Sequence, residues 1–319
     1  MKILITGVSG FIGFSLAEKL LKENFIVYGI DNFDDYYSVK LKKKRISILQ
    51  QKKKFYFFNI NFINEKKLAK LFKKNKFNFV IHLGAQAGVR YSLIDPVKYY
   101  DTNIIGFSNI LNEVIKNKIK NLFYASSSSV YGEAVKFPLS ENDKINPKNI
   151  YAMSKQINEQ MAEDISKNFK INIVGLRFFT VYGQWGRPDM FIMKLIKSII
   201  NQKTFLLHNR GNHFRDFTYI DDVVEIVFLL MKKRNIGHNI YNVCSNRPLK
   251  LFKIVKLITN YFEKLPIIKQ VGFQEADVFK THGNNKKIID YVKFKNFTPI
   301  EVGIKKTIDW YKKNKISEY

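Results

Sequence analysis

The glycines that follow the first apolar segment constrain the fold of this chain more than any other feature. Gly7, Gly10 and Gly13 come directly after the predicted strand Lys2–Thr6 and open the predicted helix Phe11–Glu23. Glycines at such positions permit a tight turn and close backbone approach, which leaves the helix N-terminus able to bind a pyrophosphate. Strand, turn and helix in this order predict a nucleotide site, with a plain turn as the alternative. The predicted contacts are Gly7, Gly10, Phe11, Ile12 and Gly13.

The first half of the chain alternates short apolar runs with segments of helical periodicity. This alternation is typical of a parallel sheet, because parallel strands need helical crossovers. We therefore predict an α/β fold, a doubly wound parallel sheet of the Rossmann type, with its ligand crevice at the carboxyl ends of the strands. The other strands are predicted at Ile26–Asp31, Phe55–Asn59, Phe79–Leu83, Asn121–Ser126 and Asn172–Phe178. The other helices are predicted at Glu65–Lys74, Val97–Lys116 and Ile150–Asn168.

The regular alternation ends near Thr180, where Gly183, Gly186 and Pro188 cluster around Trp185. Glycine and proline interrupt helices and strands, so a smaller C-terminal domain is predicted to begin there. Three later elements are expected to return to the sheet, namely Phe217–Tyr219, a helix from Asp221, and Asn239–Val243. The predicted division is 1–178, with returning elements at about 216–245, for the first domain, and about 179–215 with 246–319 for the second.

Composition indicates a globular protein of the cytoplasm. Hydrophobic residues make up 46% of the 319 residues, and no apolar run approaches the roughly 20 residues that span a membrane. Glycines interrupt the apolar start of the chain, which argues against a signal peptide. Cys244 is the single cysteine, so an internal disulfide and a cysteine-based metal cluster are excluded, and no metal site is predicted.

A formal net charge of +27 raises the alternative of a nucleic-acid-binding protein. The basic residues, however, are spread over several short clusters instead of one motif, and Lys, Asn, Ile, Phe and Tyr are all abundant. We interpret the charge as solvated surface and biased codon use, with steering of an anionic substrate as a physical consequence. The clusters are Lys42 to Arg45, Lys52 to Lys54, Lys73 to Lys76 and Lys312 to Lys315.

Polar and small residues at the strand ends complete the predicted nucleotide site. Asp31 ends the second strand, where a carboxylate can accept from both ribose hydroxyls, and the absence of a neighbouring Arg favours NAD over NADP. The alternative is that Asp31 and Asn32 form a turn. Leu83, Gly84 and Ala85 close the fourth strand with small residues that a cofactor can approach. Asn103, in the following helix, is a candidate for organising this edge of the sheet, with ordinary helix surface as its alternative.

Tyr151 and Lys155 are four residues apart, so on a helix they share one face. A cation beside a phenol favours the phenolate and lowers a pKa that is otherwise about 10, which makes tyrosine a usable base. Alone, this spacing is equally explained by a solvated helix face. Ser127, at the end of the fifth strand, can meet the tyrosine across a substrate.

Several long stretches, taken together, resemble the extended short-chain dehydrogenase/reductase superfamily and within it the nucleotide-sugar epimerases. The chain looks most like the bacterial UDP-glucuronate 4-epimerases, over almost its whole length. The stretches that carry this resemblance are Asp31 to Tyr37, Gly84 to Ser92, Arg177 to Gly183, Trp185 to Met190 and Arg215 to Asp222.

The resemblance implies a catalytic set of Ser127, Tyr151 and Lys155. Tyr151 would take the proton of the 4-hydroxyl while carbon 4 gives a hydride to NAD, and Ser127 would bind the same oxygen. Lys155 would bind the nicotinamide ribose and lower the pKa of the tyrosine. The 4-keto sugar would then turn over and take the hydride back on its other face. The product would be UDP-galacturonate for surface polysaccharide.

The resemblance also implies the substrate contacts. Thr180 and Arg187 would hold the sugar carboxylate, Arg90 would add positive potential, and Arg215 would bind the diphosphate. The remaining residues carried over are Asn59, Ile60 and Phe179 for NAD, and Ser128, Ser129, Met190 and Asp277 for the nucleotide sugar. A homodimer through Val97–Lys116 and Ile150–Asn168 is likewise implied.

Three departures from the family pattern bear on the substrate. Asn59-Ile60 stands where Asp-Ile is usual, and Gln274-Glu275-Ala276-Asp277 replaces the usual Gln-Pro-Gly-Asp turn. Ser128 and Ser129 stand where 4,6-dehydratases often carry an acidic pair and related decarboxylases tend to carry a Glu, which argues against a dehydratase. The alternatives left open are a 4-epimerase of UDP-glucose or UDP-N-acetylglucosamine, and less favoured, a UDP-glucuronate decarboxylase.

Overall fold

The computed structural model describes residues 1–273 and 278–314 of the chain. The strands are β1 (Lys2–Thr6), β2 (Ile26–Asp31), β3 (Phe55–Asn59), β4 (Phe79–His82), β5 (Asn121–Ser127), β6 (Asn172–Phe178), β7 (Thr180–Tyr182), β8 (Phe205–His208), β9 (Phe214–Tyr219), β10 (His238–Val243), β11 (Pro248–Lys250) and β12 (Ile268–Val271). The helices are α1 (Phe11–Lys22), α2 (Val39–Gln50), α3 (Glu65–Lys74), α4 (Pro96–Tyr99), α5 (Gly106–Lys116), α6 (Ile150–Phe169), α7 (Phe191–Ile200), α8 (Ile220–Met231), α9 (Leu251–Thr259), α10 (Lys286–Val292) and α11 (Ile300–Lys313).

A seven-stranded parallel sheet forms the centre of the molecule, in the order β3-β2-β1-β4-β5-β6-β10. The strand order reverses between β1 and β4, where consecutive crossovers go to opposite sides. The carboxyl ends lie side by side, since Thr6 is in register with both Ile30 and His82, and Ser127 with Phe178. The predicted doubly wound sheet is therefore confirmed, and its crevice opens at this edge.

Alternate residues of β1 face two separate cores. Ile3 and Ile5 are fully buried in one core with residues of α1 and α8, while Leu4 is buried in the other with residues of α5 and α6. This two-sided burial explains why the central strands are apolar throughout instead of alternating with polar residues. None of the helices in the described ranges combines the length and the apolar character that crossing a lipid bilayer requires.

The predicted elements of the first half agree with the structure to within one or two residues, with two differences. Helix α2 was not expected, because its sequence is rich in lysine and only Leu41, Ile46 and Leu49 form its apolar stripe. The predicted helix Val97–Lys116 begins at Pro96 and contains a wider π-helical turn at Tyr100–Ile105. That turn brings Asn103 into the interior, at 1% exposure.

The later part of the chain forms two smaller sheets beside the central one. The first is three-stranded, in the order β11-β9-β7, and the second pairs β12 with β8. Only β10 of the predicted returning strands joins the central sheet, where it pairs with β6. The expectation for Phe217–Tyr219 is corrected, because β9 pairs with β7 and β11. Helix α8, the predicted helix from Asp221, packs on the central domain against α1.

A buried ion pair joins α6 to the central sheet. Arg177 on β6 donates from Nε and Nη2 to the two carboxylate oxygens of Glu159, at 2.9 and 2.7 Å. Both side chains are at most 5% exposed. The Ser126 hydroxyl donates to the same carboxylate at 2.5 Å, and the remaining Arg177 nitrogen donates to the Tyr131 hydroxyl. Each charge is therefore paired and hydrogen-bonded, which a buried ion pair requires.

Removing one charge of this pair should destabilise the protein strongly. We expect Glu159→Gln to lower the free energy of unfolding by about 3 kcal/mol, because Arg177 would keep a buried charge without its counter-ion. Glu163→Gln, one helical turn later on α6, is the matched control, since its pair with Lys167 is exposed and should contribute less than about 1 kcal/mol. Chemical denaturation measures the free energy of unfolding of both variants. An equal decrease in the two variants would contradict the structural role of the buried pair.

Candidate active site

A single large cleft follows the carboxyl edge of the central sheet and continues under the smaller sheets. Its volume is about 1080 Å³. At one end lie the glycine turn and Asp31, in the middle Tyr151, and at the far end Arg215. The cleft is therefore long enough to bring a dinucleotide and a second, smaller ligand together at its centre.

The glycine turn has no room for side chains. A Cβ atom on Gly7, whose φ is 68°, would lie 2.6 Å from the Gly84 Cα atom. On Gly13 it would lie 2.3 Å from the Gly7 carbonyl oxygen. Gly10 caps α1 without a side-chain hydrogen bond, so the first backbone N–H groups of the helix remain for a ligand. Phe11 and Ile12 line the cleft as predicted. This cradle fits a pyrophosphate at a helix N-terminus.

Asp31 is 9% exposed and lines the cleft together with Asn32. Its two oxygens accept from the Ser9 and Phe33 backbone N–H groups, at 3.0 and 2.9 Å. These bonds fix the carboxylate at the end of β2 and leave lone pairs, which the predicted contact to ribose hydroxyls requires.

The residues carried over at the end of β3 lie beside the cleft lining. Asn59 is exposed, and Asn61 and Phe62 line the cleft two residues later. A contact of Asn59 or Ile60 with the cofactor stays a prediction.

Asn103 organises the loop after β4. Its Oδ1 accepts from the Gln86 backbone N–H at 2.8 Å, and its Nδ2 donates to the Gln86 carbonyl and the Ser154 hydroxyl. It does not itself line the cleft, and its hydrogen bonds hold the loop that does. That loop presents Leu83, Gly84 and Ala85 to the cleft as predicted.

Ser127, Tyr151 and Lys155 meet at the centre of the cleft. Ser127 ends β5, and its hydroxyl accepts from the Ser129 backbone N–H at 3.1 Å. Tyr151 lies in the first turn of α6, and its phenol is near enough to the Ser127 side chain for Ser127 to lower its pKa. Lys155, one turn later, donates from Nζ to the Ala125 carbonyl at 2.9 Å. The three residues that the sequence predicted are therefore brought together by one strand end and one helix.

Burial sets the direction of both pKa shifts in this pair. Burial raises the pKa of Tyr151, and the Ser127 side chain and the positive charge of Arg187 oppose this rise. Lys155 is not among the causes of this shift, so a lowering of the Tyr151 pKa by Lys155 stays a prediction. Burial also lowers the pKa of Lys155 to about 8, against the opposing charge of Glu159.

Thr180 and Arg187 line the cleft beside the catalytic residues, with Ser128, Ser129, Phe179 and Met190. The Arg187 guanidinium donates from Nε and Nη2 to Asp189, at 3.0 and 2.5 Å. It lies 5.5 Å from the centre of the Tyr36 ring. Sequence reasoning missed Tyr36 and Asp189 as site residues, although both belong to the stretches that carry the family resemblance.

The far end of the cleft is basic. Arg215 donates from Nη1 to the Phe214 and Phe279 carbonyls, and Arg90 lies 3.3 Å from the His208 ring nitrogen. Lys194, Lys197 and Lys203 also line this end, and none of them was predicted. Asp277, the remaining predicted contact, lies outside the described residues. A cleft end with this many cations suits a phosphate-bearing ligand.

The fold and the site together define a Rossmann-type enzyme that uses a dinucleotide with a serine, a tyrosine and a lysine. A family model described as the NAD dependent epimerase/dehydratase family matches residues 3–244. The chain belongs to this family.

Known proteins resemble the chain over nearly its whole length. It is 41% identical to Protein CapI of Staphylococcus aureus, with 98% of each chain covered. It is 36% identical to a UDP-glucuronate 4-epimerase of Thermodesulfobacterium geofontis, covering 98% of this chain and 96% of that protein. A crystal structure of UDP-glucuronic acid 4-epimerase from Bacillus cereus, in complex with UDP-glucuronic acid and NAD, superposes with a TM-score of 0.93 at 30% identity and covers 98% and 100% of the two chains.

The lowered pKa of Lys155 predicts a pH-dependent stability. Because its folded pKa is about 8 and an unfolded lysine titrates near 10.4, the unfolded state binds more protons between these values. Stability therefore rises with pH in that window. Between pH 7 and pH 9.5 the free energy of unfolding of the wild type should therefore rise by about 2 kcal/mol relative to that of Lys155→Met.

Unfolding by urea at the two pH values measures this gain. Lys305→Met removes an exposed lysine and should give a much smaller change over the same range. A free-energy difference between wild type and Lys155→Met that is the same at both pH values would contradict the prediction.

Proposed function

We propose that the protein epimerises UDP-glucuronate at carbon 4 to UDP-galacturonate, through a transient 4-keto sugar and with NAD as cofactor. The observation that carries this proposal is the position of Arg187. Its guanidinium lies in the same cleft as Tyr151 and is close enough to influence the pKa of that phenol. A sugar whose 4-hydroxyl reaches Tyr151 can therefore place a neighbouring carboxylate near a cation. The relatives that carry this activity by name support the same substrate.

The glycine turn, Asp31 and Lys155 are the residues that would hold NAD. The turn would receive the pyrophosphate at the start of α1, Asp31 the adenosine ribose, and Lys155 the nicotinamide ribose. NAD bound in this way supplies the hydride acceptor and donor for carbon 4. We assign this cofactor to residues 1–178 with about 216–245, and the nucleotide sugar to the rest of the chain.

Tyr151 would accept the proton of the 4-hydroxyl. Burial raises the pKa of this phenol, and Lys155, one helical turn later, would supply the positive charge that stabilises the phenolate. Ser127 would hold the same oxygen, because its hydroxyl lines the cleft beside Tyr151. In the return step Tyr151 would give the proton back to that oxygen.

The carboxylate of the substrate creates a hazard that the site must control. A 4-keto glucuronate is a β-keto acid, and when its C5–C6 bond breaks, carbon dioxide leaves and the electron pair enters an enolate. That enolate takes a proton at carbon 5, and carbon 4 then regains its hydride to give a UDP-pentose. Thr180 and Arg187 would prevent this by holding the C5–C6 bond where it overlaps poorly with the carbonyl.

The acidic residues of the cleft disfavour dehydration. Within the part of the chain that the structure describes, the carboxylates lining the cleft are Asp31, Asp34 and Asp189. Asp31 accepts backbone bonds, Asp34 pairs with Lys98 at 2.7 Å, and Asp189 pairs with Arg187. A proton donor for the elimination of water is thus missing from the positions of Ser128 and Ser129.

The main alternative remains a 4-epimerase of a neutral UDP-hexose.

We also propose a homodimer that works in the cytoplasm without a specific nucleic acid partner. Exposed apolar side chains on the two predicted helices and the turn before them support the dimer, with Ile94 77%, Val97 60% and Met153 37% exposed. A second copy would cover them. Sedimentation equilibrium of the purified protein distinguishes this dimer from a monomer.

Tyr151→Phe should abolish turnover, because the variant has no group to accept the proton of the 4-hydroxyl. We expect a loss of at least about 10³-fold in kcat, in the range typical of a lost general base. NAD content, measured after denaturation of the purified protein, should remain that of the wild type. Near-normal activity would contradict the assignment of the base.

Arg187→Ala should weaken the use of UDP-glucuronate or let the intermediate lose carbon dioxide. We expect kcat/KM for UDP-glucuronate to fall by roughly 100-fold, the effect of losing a charge-assisted pair, while kcat/KM for UDP-glucose changes little. Product analysis by mass spectrometry measures both substrates in parallel. If the wild type prefers the neutral sugar, the proposed substrate is wrong.

A further inference from the structure

The Arg187 guanidinium is engaged along one edge only by the described residues. Asp189 accepts from Nε and Nη2 in a fork, at 3.0 and 2.5 Å. A fork of two parallel bonds fixes the plane of a guanidinium, whereas a single bond does not. The edge that carries Nη1 is left for a second carboxylate. The side chains of Arg187 and Asp189 are 20% and 25% exposed, so water competes little for this pair.

Tyr36 supports the pair from the cofactor side of the cleft. Its hydroxyl donates to the Asp189 Oδ2 atom at 3.3 Å, and its ring lies against the Arg187 guanidinium. Tyr36 is itself held in place, because its ring packs 5.1 Å from the Tyr91 ring. A Cβ atom on Gly88 would lie 2.3 Å from the Tyr36 hydroxyl, so the glycine makes room for it.

Arg45 holds the backbone of the same loop. It is fully buried, and its Nη2 atom donates to the Trp185 carbonyl at 2.6 Å, two residues before Arg187. Its Nη1 atom donates to the Ser9 carbonyl in the glycine turn at 2.7 Å, and to the Tyr37 hydroxyl at 2.8 Å. One side chain therefore ties the loop that carries Arg187 to the turn that would bind the cofactor.

The held loop has a backbone conformation that needs support. Trp185 adopts a φ of 59°, a left-handed conformation that is unfavourable for a non-glycine residue. Its ring packs between Phe14 and Trp310, with centroids 5.3 and 5.0 Å away. With the Arg45 hydrogen bond, these contacts give the loop one defined position.

We propose that Tyr36, Arg45 and Asp189 are positioning residues that fix the Arg187 guanidinium for the carboxylate of the sugar. Asp189 offsets the charge of Arg187, so the arrangement contributes orientation more than affinity for an anion. A fixed guanidinium holds the C5–C6 bond away from overlap with the 4-keto group, and a mobile one lets the bond rotate toward decarboxylation. This inference rests on the proposed function, since it requires a carboxylate-bearing substrate.

The fraction of turnovers that yield a UDP-pentose tests the inference. With the complete protein and UDP-glucuronate, we expect Tyr36→Phe and Asp189→Asn each to raise that fraction at least about tenfold, which corresponds to one misaligned charge-assisted contact. Arg45→Lys should do the same. In an Arg187→Ala background the Asp189→Asn change should add nothing further, because the two residues act through one group.

Matched controls remove the same kinds of group, a carboxylate charge and a phenol hydroxyl, at positions outside the cleft. Asp290→Asn breaks an exposed pair with Lys286, and Tyr291→Phe removes a hydroxyl that donates to the Arg234 carbonyl. Both should keep the product ratio of the wild type. A purely structural role of the positioning residues predicts lower stability with an unchanged product ratio in the active fraction.

Three outcomes would overturn the inference, and they are distinguishable. If the wild type epimerises UDP-glucuronate and the Tyr36 and Asp189 variants give its product ratio, the positioning roles are wrong and the proposed function stands. If the wild type does not convert UDP-glucuronate at all, the proposed function fails and the inference fails with it. Additive effects of Asp189→Asn and Arg187→Ala would also contradict a shared role.

Discussion

The buried pair of Glu159 and Arg177 is the interaction on which the catalytic centre depends. It binds α6 to β6, and through the Ser126 hydroxyl it also binds the end of β5. The next residue on that strand is Ser127, and Lys155 lies one helical turn before Glu159 on the same helix. A buried ion pair is strongly destabilising when one partner is lost, so both charges must stay in place. The pair therefore fixes the distance between the strand end and the helix that together form the site.

A second set of contacts sets the substrate side of the cleft relative to the cofactor side. Arg45 reaches from α2 to both the glycine turn and the loop that carries Arg187. Tyr36 reaches across the same gap to Asp189. The segment after β2 therefore contacts both the cofactor side and the substrate side of the cleft. It makes the position of Arg187, the residue proposed to bind the substrate carboxylate, depend on the fold of the cofactor turn.

The sequence predicted best those parts that follow from local pattern. The strands β1, β2, β3 and β6 and the glycine turn were placed correctly, because apolar runs and glycine spacing report local conformation directly. Helix α2 was not predicted because its many lysines leave only a narrow apolar stripe. In addition, it buries Arg45, a residue type that is normally exposed.

The contacts that sequence reasoning missed join residues far apart in the chain. Tyr36 and Asp189 are 153 positions apart, and nothing in either local stretch indicates their hydrogen bond. The raised pKa of Tyr151 was missed for a related reason, since spacing identifies the neighbouring lysine but not the burial of the phenol.

The most direct test of the whole account uses UDP-glucuronate that carries deuterium at carbon 4. The account predicts UDP-galacturonate that retains the deuterium at carbon 4, because the same hydride returns to the opposite face; loss of the label to solvent, or a product with unchanged configuration at carbon 4, would contradict it.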